Sequence, residues 1–156
     1  MSVKIEIAET TEQFEAGGQL FRAYAEFLGY DLSFQGFADE LETLPKMYAP
    51  PKGSLLLANL GGVYVGAVGL REFEPYVAEM KRMFVLADYH GMGIGRALTE
   101  AFLAKASEMR YKSVRLDSIL ELDKALKLYQ AFGFKEIAPY RFNPHPEAVF
   151  MEYIIG

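Results

Sequence analysis

The chain has 156 residues, a length typical of one domain, and we expect a single domain over residues 1–156. Hydrophobic residues make up 51% and charged residues 24%, which excludes intrinsic disorder as the main state. The net charge of −5 disfavours a nucleic-acid binder, and the lack of cysteine excludes disulfide scaffolds, cysteine metal sites and a cysteine nucleophile. A cysteine-free chain fits a reducing, cytoplasmic setting.

The chain shows no sign of a membrane segment or of a metal site. No apolar run reaches the ~18 residues of a membrane span, and the polar, mixed-charge start does not resemble a signal peptide. The only histidines, His90 and His145, have no metal-ligand spacing. We therefore expect no metal, no membrane association and no nucleic-acid partner.

The first half of the chain predicts a strand followed by two helices. Val3–Ile7 alternates with the period of a strand. Thr10 stands three residues before Gln13, the spacing of a capping box, and Gly29 is suited to end the helix that follows. Gly17-Gly18 inside this helix costs about 1 kcal/mol per glycine, so we expect a break there. A shorter helix is predicted from residue 37 to residue 44, stopped by a proline at position 45.

A hairpin and two strand–helix–strand units follow. Strands are predicted over 54–60 and 63–73 with a turn at Gly61-Gly62, then over 80–86, 112–117, 134–138 and 149–155. One amphipathic helix follows Gly95, and Ser118 and Glu121 resemble a capping box for a second that ends at Gly133. This order predicts an α/β fold, a mixed sheet with helices on both faces.

The most informative segment is His90-Gly-Met-Gly-Ile-Gly-Arg96, which follows a predicted strand and opens a helix. Its three glycines allow tight turns and close approach of a ligand, and the free N–H groups of a helix start bind phosphate. The segment fits neither the dinucleotide fingerprint nor the nucleoside triphosphate loop, because its glycine spacing is wrong for both. A glycine-rich turn without a ligand is the alternative interpretation.

Two motifs in this chain resemble those of the GNAT superfamily of acetyl-CoA-dependent N-acetyltransferases. His90-Gly91-Met92-Gly93-Ile94-Gly95 is similar to the family signature (Q/R)-x-x-G-x-(G/A), and residues 125–134 are similar to its second cofactor motif, A-x-x-x-Y-x-x-x-G-F. Residues 54–138 carry the resemblance. His90 replaces the usual Arg or Gln, and Leu122 stands where many members carry an Asn, so two cofactor contacts are in doubt.

The resemblance implies a mostly antiparallel central sheet whose fourth and fifth strands splay apart to accept acetyl-CoA. The pantetheine arm would pair with the backbone of Met83–Val85, and a backbone N–H near Val85 would polarise the thioester carbonyl. The cofactor-binding residues implied in this way are Met83, Phe84, Val85, His90, Gly91, Met92, Gly93, Ile94, Gly95, Arg96, Ala125 and Tyr129.

The resemblance also implies two catalytic residues. Tyr129 matches the family tyrosine whose hydroxyl lies near the coenzyme sulfur, so it is the candidate acid, although its helical face would also suit a core residue. Glu79 is the candidate base, because some members carry a catalytic glutamate 11 residues before the signature residue; a charge at the start of an exposed strand is the alternative. Lys81 and Arg82 are read either as solvated strand residues or as contacts to the cofactor phosphates.

The acceptor pocket is less well defined by sequence. The family builds it partly from the first two helices, which suggests Tyr24, Tyr30 and Phe34, or these are ordinary aromatic residues. Arg71, Tyr140, Arg141 and Asn143 are candidates for contact with a polar substrate, although a lone Arg141 suits the surface equally well.

The predicted function is transfer of an acetyl group from acetyl-CoA to a primary amine, by direct attack in a ternary complex. A small-molecule amine is the expected acceptor, and a peptide or protein amine is an alternative. A non-catalytic acyl-CoA-binding module of the same fold, or a structural domain with an empty glycine turn, are the competing classes. A homodimer is expected only because dimers are common in the family.

Overall fold

The computed structural model describes residues 2–29, 32–33 and 36–156. Within these ranges seven strands are formed, namely β1 (Val3–Ile7), β2 (Ser54–Leu60), β3 (Val63–Glu74), β4 (Val77–Val85), β5 (Ser113–Ile119), β6 (Lys135–Ile137) and β7 (Ala148–Ile154). The same part of the chain forms five α-helices, namely α1 (Thr11–Leu28), α2 (Phe37–Glu42), α3 (Leu44–Met47), α4 (Ile94–Glu108) and α5 (Asp123–Phe132).

The strands form one sheet in the order β1-β2-β3-β4-β5-β7-β6. Every neighbouring pair is antiparallel except β4 and β5, which run parallel. The parallel pair is connected through α4, as a crossover between parallel strands requires. The mixed, mostly antiparallel sheet predicted from the sequence is therefore confirmed.

The two halves of the sheet meet over a very short ladder. β4 pairs with β5 only at Val77–Ser113, Ala78–Val114 and Glu79–Arg115. Both strands continue beyond these pairs, to Val85 and Ile119, without pairing to each other. The splay between the fourth and fifth strands is thus present, and it opens a gap in the middle of the sheet.

Helices cover both faces of the sheet and divide the core into two clusters. On one face α4 and α5 pack against the strands, with Leu98, Phe102 and Leu126 among the buried residues. On the other face α1 and α3 pack against β2 and β3 through Phe21 and Tyr48. Burial of these apolar side chains is the main source of stability.

A β-bulge interrupts β4 just beyond the ladder with β5. Lys81 lies opposite Gly69 and Phe84 opposite Ala67, so Arg82 and Met83 together face the single residue Val68. Arg82 has a φ of 61°, a left-handed conformation that is unusual for a residue other than glycine. The extra residue changes which side chains face each core cluster, and it bends the strand.

The predicted break in α1 does not occur, since the helix is continuous through Gly17 and Gly18. Its capping box at Thr10 and Gln13 and its end at Gly29 are confirmed. The two glycines are buried where the helix meets its neighbours. Close packing, which the sequence pattern does not display, offsets the low helix propensity of glycine here.

Two other predicted helix boundaries are wrong. Pro45 does not stop a helix; it lies in the first turn of α3, where its missing N–H costs nothing, and α2 ends earlier at Glu42. Ser118 does not cap a helix, because it lies in β5 opposite Val149. The N-cap of α5 is Leu122, which makes no capping bond with its side chain.

In the described parts of the chain, no helix is both long enough and apolar enough to cross a membrane.

Candidate active site

A cleft lies where β4 and β5 separate. It contains about 370 Å³ of empty space, including its open mouth. Its wall combines apolar, polar and charged side chains from α1, β4, β5 and the segments that follow α1, β5 and β6, namely Tyr24, Leu28, Leu32, Met80, Lys81, Arg82, Asp117, Ser118, Ile119, Leu122 and Asn143.

The glycine loop lies beyond the end of β4, at the N-terminus of α4. Gly91 and Gly93 have φ values of 81° and 78°, and Gly93 caps the helix without a side-chain hydrogen bond. A Cβ added at either position would meet nothing within 4 Å. The first N–H groups of α4 therefore face open space with the positive end of the helix dipole, an arrangement that fits a phosphate group.

His90, which stands at the position of the family's Arg or Gln, makes a hydrogen bond within the protein. Its Nε2 lies 2.7 Å from the carbonyl oxygen of Val85 and donates a hydrogen bond to it. The imidazole therefore ties the loop to the end of β4, and the bond it can donate is already made within the protein. Arg96 is exposed, and its guanidinium lies 5.3 Å from the centre of the Phe132 ring, close to the loop.

The backbone of Val85 faces the gap. The N–H of Leu86 donates to the carbonyl oxygen of Val65 on β3 at 2.9 Å. Because successive residues of a strand point their N–H and C=O groups to opposite edges, those of Val85 point away from β3 and toward the separation between β4 and β5. Met83 and Phe84 precede it, half-buried, with Met83 against the core shared with α4.

Tyr129 lies on α5 and is buried beside Phe134, at a ring separation of 5.7 Å. Burial raises the pKa of its phenol well above the usual value, with a smaller contribution from Tyr24 on the cleft wall. Its hydroxyl makes no hydrogen bond to any described residue. Ala125 is half-buried one helical turn before it.

Glu79 lies in the interior of β4, not at the start of an exposed strand, and none of its surface is exposed. Tyr140 donates its hydroxyl to Oε2 at 2.8 Å, and Arg141 donates Nη2 to Oε1 at 3.1 Å. Lys81 Nζ lies 3.9 Å from Oε1. Arg141 is therefore not a free surface residue, and the carboxylate is surrounded by donors.

The structure corrects the interpretation of Lys81 and Arg82 as solvated strand residues. At 3% and 7% exposure both are buried, and both line the cleft. Their contact with the cofactor phosphates stays a prediction. Burial lowers the pKa of the Lys81 ammonium to about 8, although the Glu79 carboxylate opposes the shift. Arg82 forms an ion pair with Glu40 of α2.

Of the residues suggested for the acceptor pocket, some line the cleft and others do not. Tyr24 lines the cleft and packs on Phe84 at a ring separation of 5.8 Å. Asn143 also lines it and donates to Asp117 at 3.0 Å, whereas Arg71 lies on β3 opposite Glu79. Tyr30 and Phe34 lie outside the described residues.

Sequence reasoning missed Asp117 and Glu40. Each owes its place to contacts with residues distant along the chain, and no local motif marks either of them. Within the described ranges, no group of three or more histidine or acidic residues could hold a metal ion.

A family model for the acetyltransferase (GNAT) family matches residues 19–134. The chain belongs to the GNAT family. An uncharacterised N-acetyltransferase of Schizosaccharomyces pombe is 32% identical over 152 residues, covering 96% of this chain and 93% of that one. A second uncharacterised N-acetyltransferase, from Dictyostelium discoideum, is 26% identical and covers 93% of this chain and 95% of that one.

The fold is also that of solved GNAT structures. A GNAT-family acetyltransferase of Staphylococcus aureus superposes with a TM-score of 0.81 at 21% identity, covering 98% of this chain and 99% of that one. At this identity the likeness concerns the fold alone. It agrees with the splayed parallel pair at the centre of the sheet.

Proposed function

We propose that this GNAT protein transfers an acetyl group from acetyl-CoA to a primary amine of a small molecule, by direct attack in a ternary complex. One observation carries the proposal. It is the course of β4: beyond its last pairing with β5 the strand runs from Lys81, which lines the cleft, to Val85, and the uncapped N-terminus of α4 follows along the chain.

The glycine loop is the proposed binding site for the pyrophosphate. The N–H groups of Ile94, Gly95 and Arg96 would donate to phosphate oxygens, and Gly91 and Gly93 leave the space for them. Acetyl-CoA supplies the activated acetyl group as a thioester. The N–H of Val85, which points into the gap, would polarise a carbonyl oxygen there, as an oxyanion hole does.

Tyr129 is the proposed proton donor to the departing sulfur. Its raised pKa keeps the phenol protonated at neutral pH, and its hydroxyl has no competing hydrogen bond among the described residues. Both properties are what a proton donor needs before the reaction.

Glu79 is the proposed final acceptor of the proton that the amine loses. Its carboxylate does not line the cleft, so the proton must cross an intermediate group. Lys81 lines the cleft and lies 3.9 Å from the carboxylate, which makes it that group. A lysine with a pKa of about 8 can exchange a proton at neutral pH.

The polarity of the cleft supports a small cationic acceptor. Asp117 lines the cleft wall, and its carboxylate would attract an ammonium group. Leu28, Leu32 and Ile119 would contact apolar parts of the same molecule.

The test is an assay of free thiol released from acetyl-CoA, run against panels of amino acids, polyamines, arylalkylamines and short peptides. We expect release that depends on one class of small amines, with the acetylated amine confirmed by mass spectrometry. Release with peptides only would overturn the small-molecule assignment. Tight binding of acetyl-CoA with no turnover in any panel would instead favour a non-catalytic binding module.

A further inference from the structure

A buried ion pair connects the bulge of β4 to the helix above it. Arg82 donates Nε to Oε2 of Glu40 at 3.3 Å and Nη2 to Oε1 at 3.1 Å. The hydroxyl of Tyr48 donates to the same Oε2 at 2.9 Å. Glu40 and Tyr48 are each 1% exposed and Arg82 is 7% exposed, so the three side chains form a closed cluster, which we call the bulge clamp.

The clamp holds the point where β4 has its least favourable backbone. Arg82 has a φ of 61° and lies in the bulge, opposite Val68 with Met83. A residue with a Cβ adopts this conformation only when its surroundings impose it. The two-point contact between the guanidinium and the Glu40 carboxylate restrains the side chain in both distance and orientation.

A buried ion pair is weak evidence for stability, because removing two charges from water offsets much of their attraction. A fork of donors on a carboxylate nevertheless fixes geometry well. Here it fixes the direction in which β4 continues after the bulge, and Val85 lies three residues further on. A displacement of Arg82 would therefore reach the Val85 backbone along the strand.

The clamp also reaches the acceptor side of the cleft. The Arg82 guanidinium lies 5.0 Å from the centre of the Phe37 ring at the start of α2, in addition to its bonds with Glu40 on the same helix. Arg82 itself lines the cleft, as do Leu28 and Leu32, which precede α2. Arg82 thus belongs to β4, lines the cleft and contacts α2.

We propose that Arg82 is a positioning residue that, held by Glu40 and Tyr48, sets the path of β4 through the gap and aligns the acceptor side with it. This inference rests on the proposed acetyl transfer. It assigns Arg82 no contact with a reacting atom, and it places the control of catalytic geometry in a side-chain cluster that the sequence motifs do not include.

The test compares Arg82→Gly with Arg110→Gly. Both arginines have a positive φ, 61° and 69°, so glycine relieves the same backbone strain at each, but Arg110 is exposed in the turn after α4. If Arg82 is only a strained structural residue, both variants keep the wild-type kcat. We expect Arg82→Gly to lose roughly 100-fold in kcat, the scale of a 1 Å misplacement, and Arg110→Gly to lose none.

Two milder variants test the proposal in case Arg82→Gly does not fold. Arg82→Lys keeps the positive charge but loses the two-point hydrogen bonding to Glu40, and Tyr48→Phe removes only the hydroxyl that donates to Glu40. We expect both to lower kcat at temperatures well below their unfolding midpoints, Arg82→Lys more strongly, with a smaller change in KM for the amine. Wild-type kcat in both would overturn the inference.

The positioning role of Arg82 can be tested even if the proposed acetyl transfer is wrong. If the wild-type protein binds acetyl-CoA but acetylates no amine, the proposed function fails, and the clamp is then tested by acetyl-CoA affinity alone. In that case we expect the Kd measured by calorimetry to rise in Arg82→Gly and not in Arg110→Gly. An unchanged Kd in both would contradict a positioning role.

Discussion

Tyr129 combines a buried ring with a hydroxyl that is not bonded to any described residue. The ring packs on Phe134 and belongs to the core, so an aromatic ring suits this position even without a chemical role. The hydroxyl adds nothing to that packing. Removing it alone therefore separates the structural from the chemical contribution.

Tyr129→Phe should lower kcat by roughly 100-fold, the lower end of what a positioned acid contributes, and leave acetyl-CoA affinity nearly unchanged. The unfolding midpoint should also stay close to wild type, because no hydrogen bond is lost within the described chain. Steady-state kinetics gives kcat, and calorimetry gives the affinity for acetyl-CoA.

The control is Tyr153→Phe, because the Tyr153 ring also packs on Phe134, at a ring separation of 5.4 Å, but belongs to a different element. Equal turnover in Tyr129→Phe and wild type would reject the assignment of Tyr129 as the acid.

Lys81 makes the stability of the fold depend on pH in an unusual direction. Its pKa in the folded chain is about 8, below the usual value of 10.5, because burial disfavours the ammonium. Between these two values the unfolded chain binds more protons than the folded one, so the free energy of unfolding rises with pH. Below pH 8 both states are protonated and the cost of burying the charge is fully present.

We predict that wild type gains about 1–2 kcal/mol of stability relative to Lys81→Met between pH 8 and pH 9.5. Urea titrations at both pH values measure the difference, and the range stays below the usual pKa of tyrosine. Lys124→Met, which removes an exposed lysine from α5, should show no such trend. A parallel pH dependence of wild type and Lys81→Met would mean that Lys81 keeps an ordinary pKa.

Among the elements, α1 shows most directly how packing can outweigh local propensity. A Cβ at Gly17 would lie 2.5 Å from Cδ2 of Leu55 in β2, whereas one at Gly18 would lie 3.2 Å from Cδ1 of Leu44. The first contact requires the side chain of Leu55, which is fully buried, to move. The second requires a shift of only a few tenths of an ångström.

Gly17→Ala should therefore destabilise the protein by about 1–2 kcal/mol, since the cost of overpacking exceeds the gain in helix propensity. Gly18→Ala should be close to neutral, because both effects are then of similar size. Urea denaturation of the two variants side by side tests this difference. Equal stability of the two would show that α1 can move away from the sheet at no cost.

The loop before α4 offers another matched pair. Gly93 and Gly62 both have a positive φ, 78° and 93°, and open space where a Cβ would be. Alanine should strain the backbone comparably at the two positions and lower the unfolding midpoint to a similar degree. Only Gly93→Ala should also lose most of the stabilisation by acetyl-CoA, which a thermal scan with and without the ligand measures; retained stabilisation would place the pyrophosphate elsewhere.

The elements were predicted well where their signals are local. The capping box at Thr10, the turn at Gly61-Gly62 and the helix end at Gly133 are each set by neighbours within a few residues, and all three are confirmed. Pro45 and Ser118 were assigned incorrectly, because the same residue type suits two local structures and the tertiary context decides between them.

At the scale of the whole molecule, the family and the fold followed from two motifs, but the arrangement of charges did not. Glu79 meets Tyr140 across 61 residues of sequence, and Arg82 meets Glu40 across 42. A charged residue that pairs at such separations has the same sequence signature as one that faces solvent. For this reason Arg82 and Arg141 were both candidates for the surface. The roles of the site residues, the small acceptor and the homodimer stay predictions.

The acidic chain should bind a polyanionic ligand through one local site. A saturating ligand at 100 times its Kd adds about 2.7 kcal/mol of stability. For a chain of this size we expect acetyl-CoA to raise the unfolding midpoint by about 5–10 °C. Scanning fluorimetry measures the shift, with adenosine diphosphate as a control for the nucleotide part alone. No shift at millimolar acetyl-CoA would mean that the fold is present here without its ligand.

Because β4 and β5 pair at only three positions, a small change in the angle between them changes the width of the gap beyond these pairs. From Glu79 to Val85 the strand runs for roughly 20 Å beyond its last pairing with β5. A rotation of only a few degrees about this joint moves the far end of the strand by an ångström or more. The width of the gap is thus a sensitive variable, and interactions that stiffen β4 near the joint have an effect on alignment out of proportion to their contribution to stability.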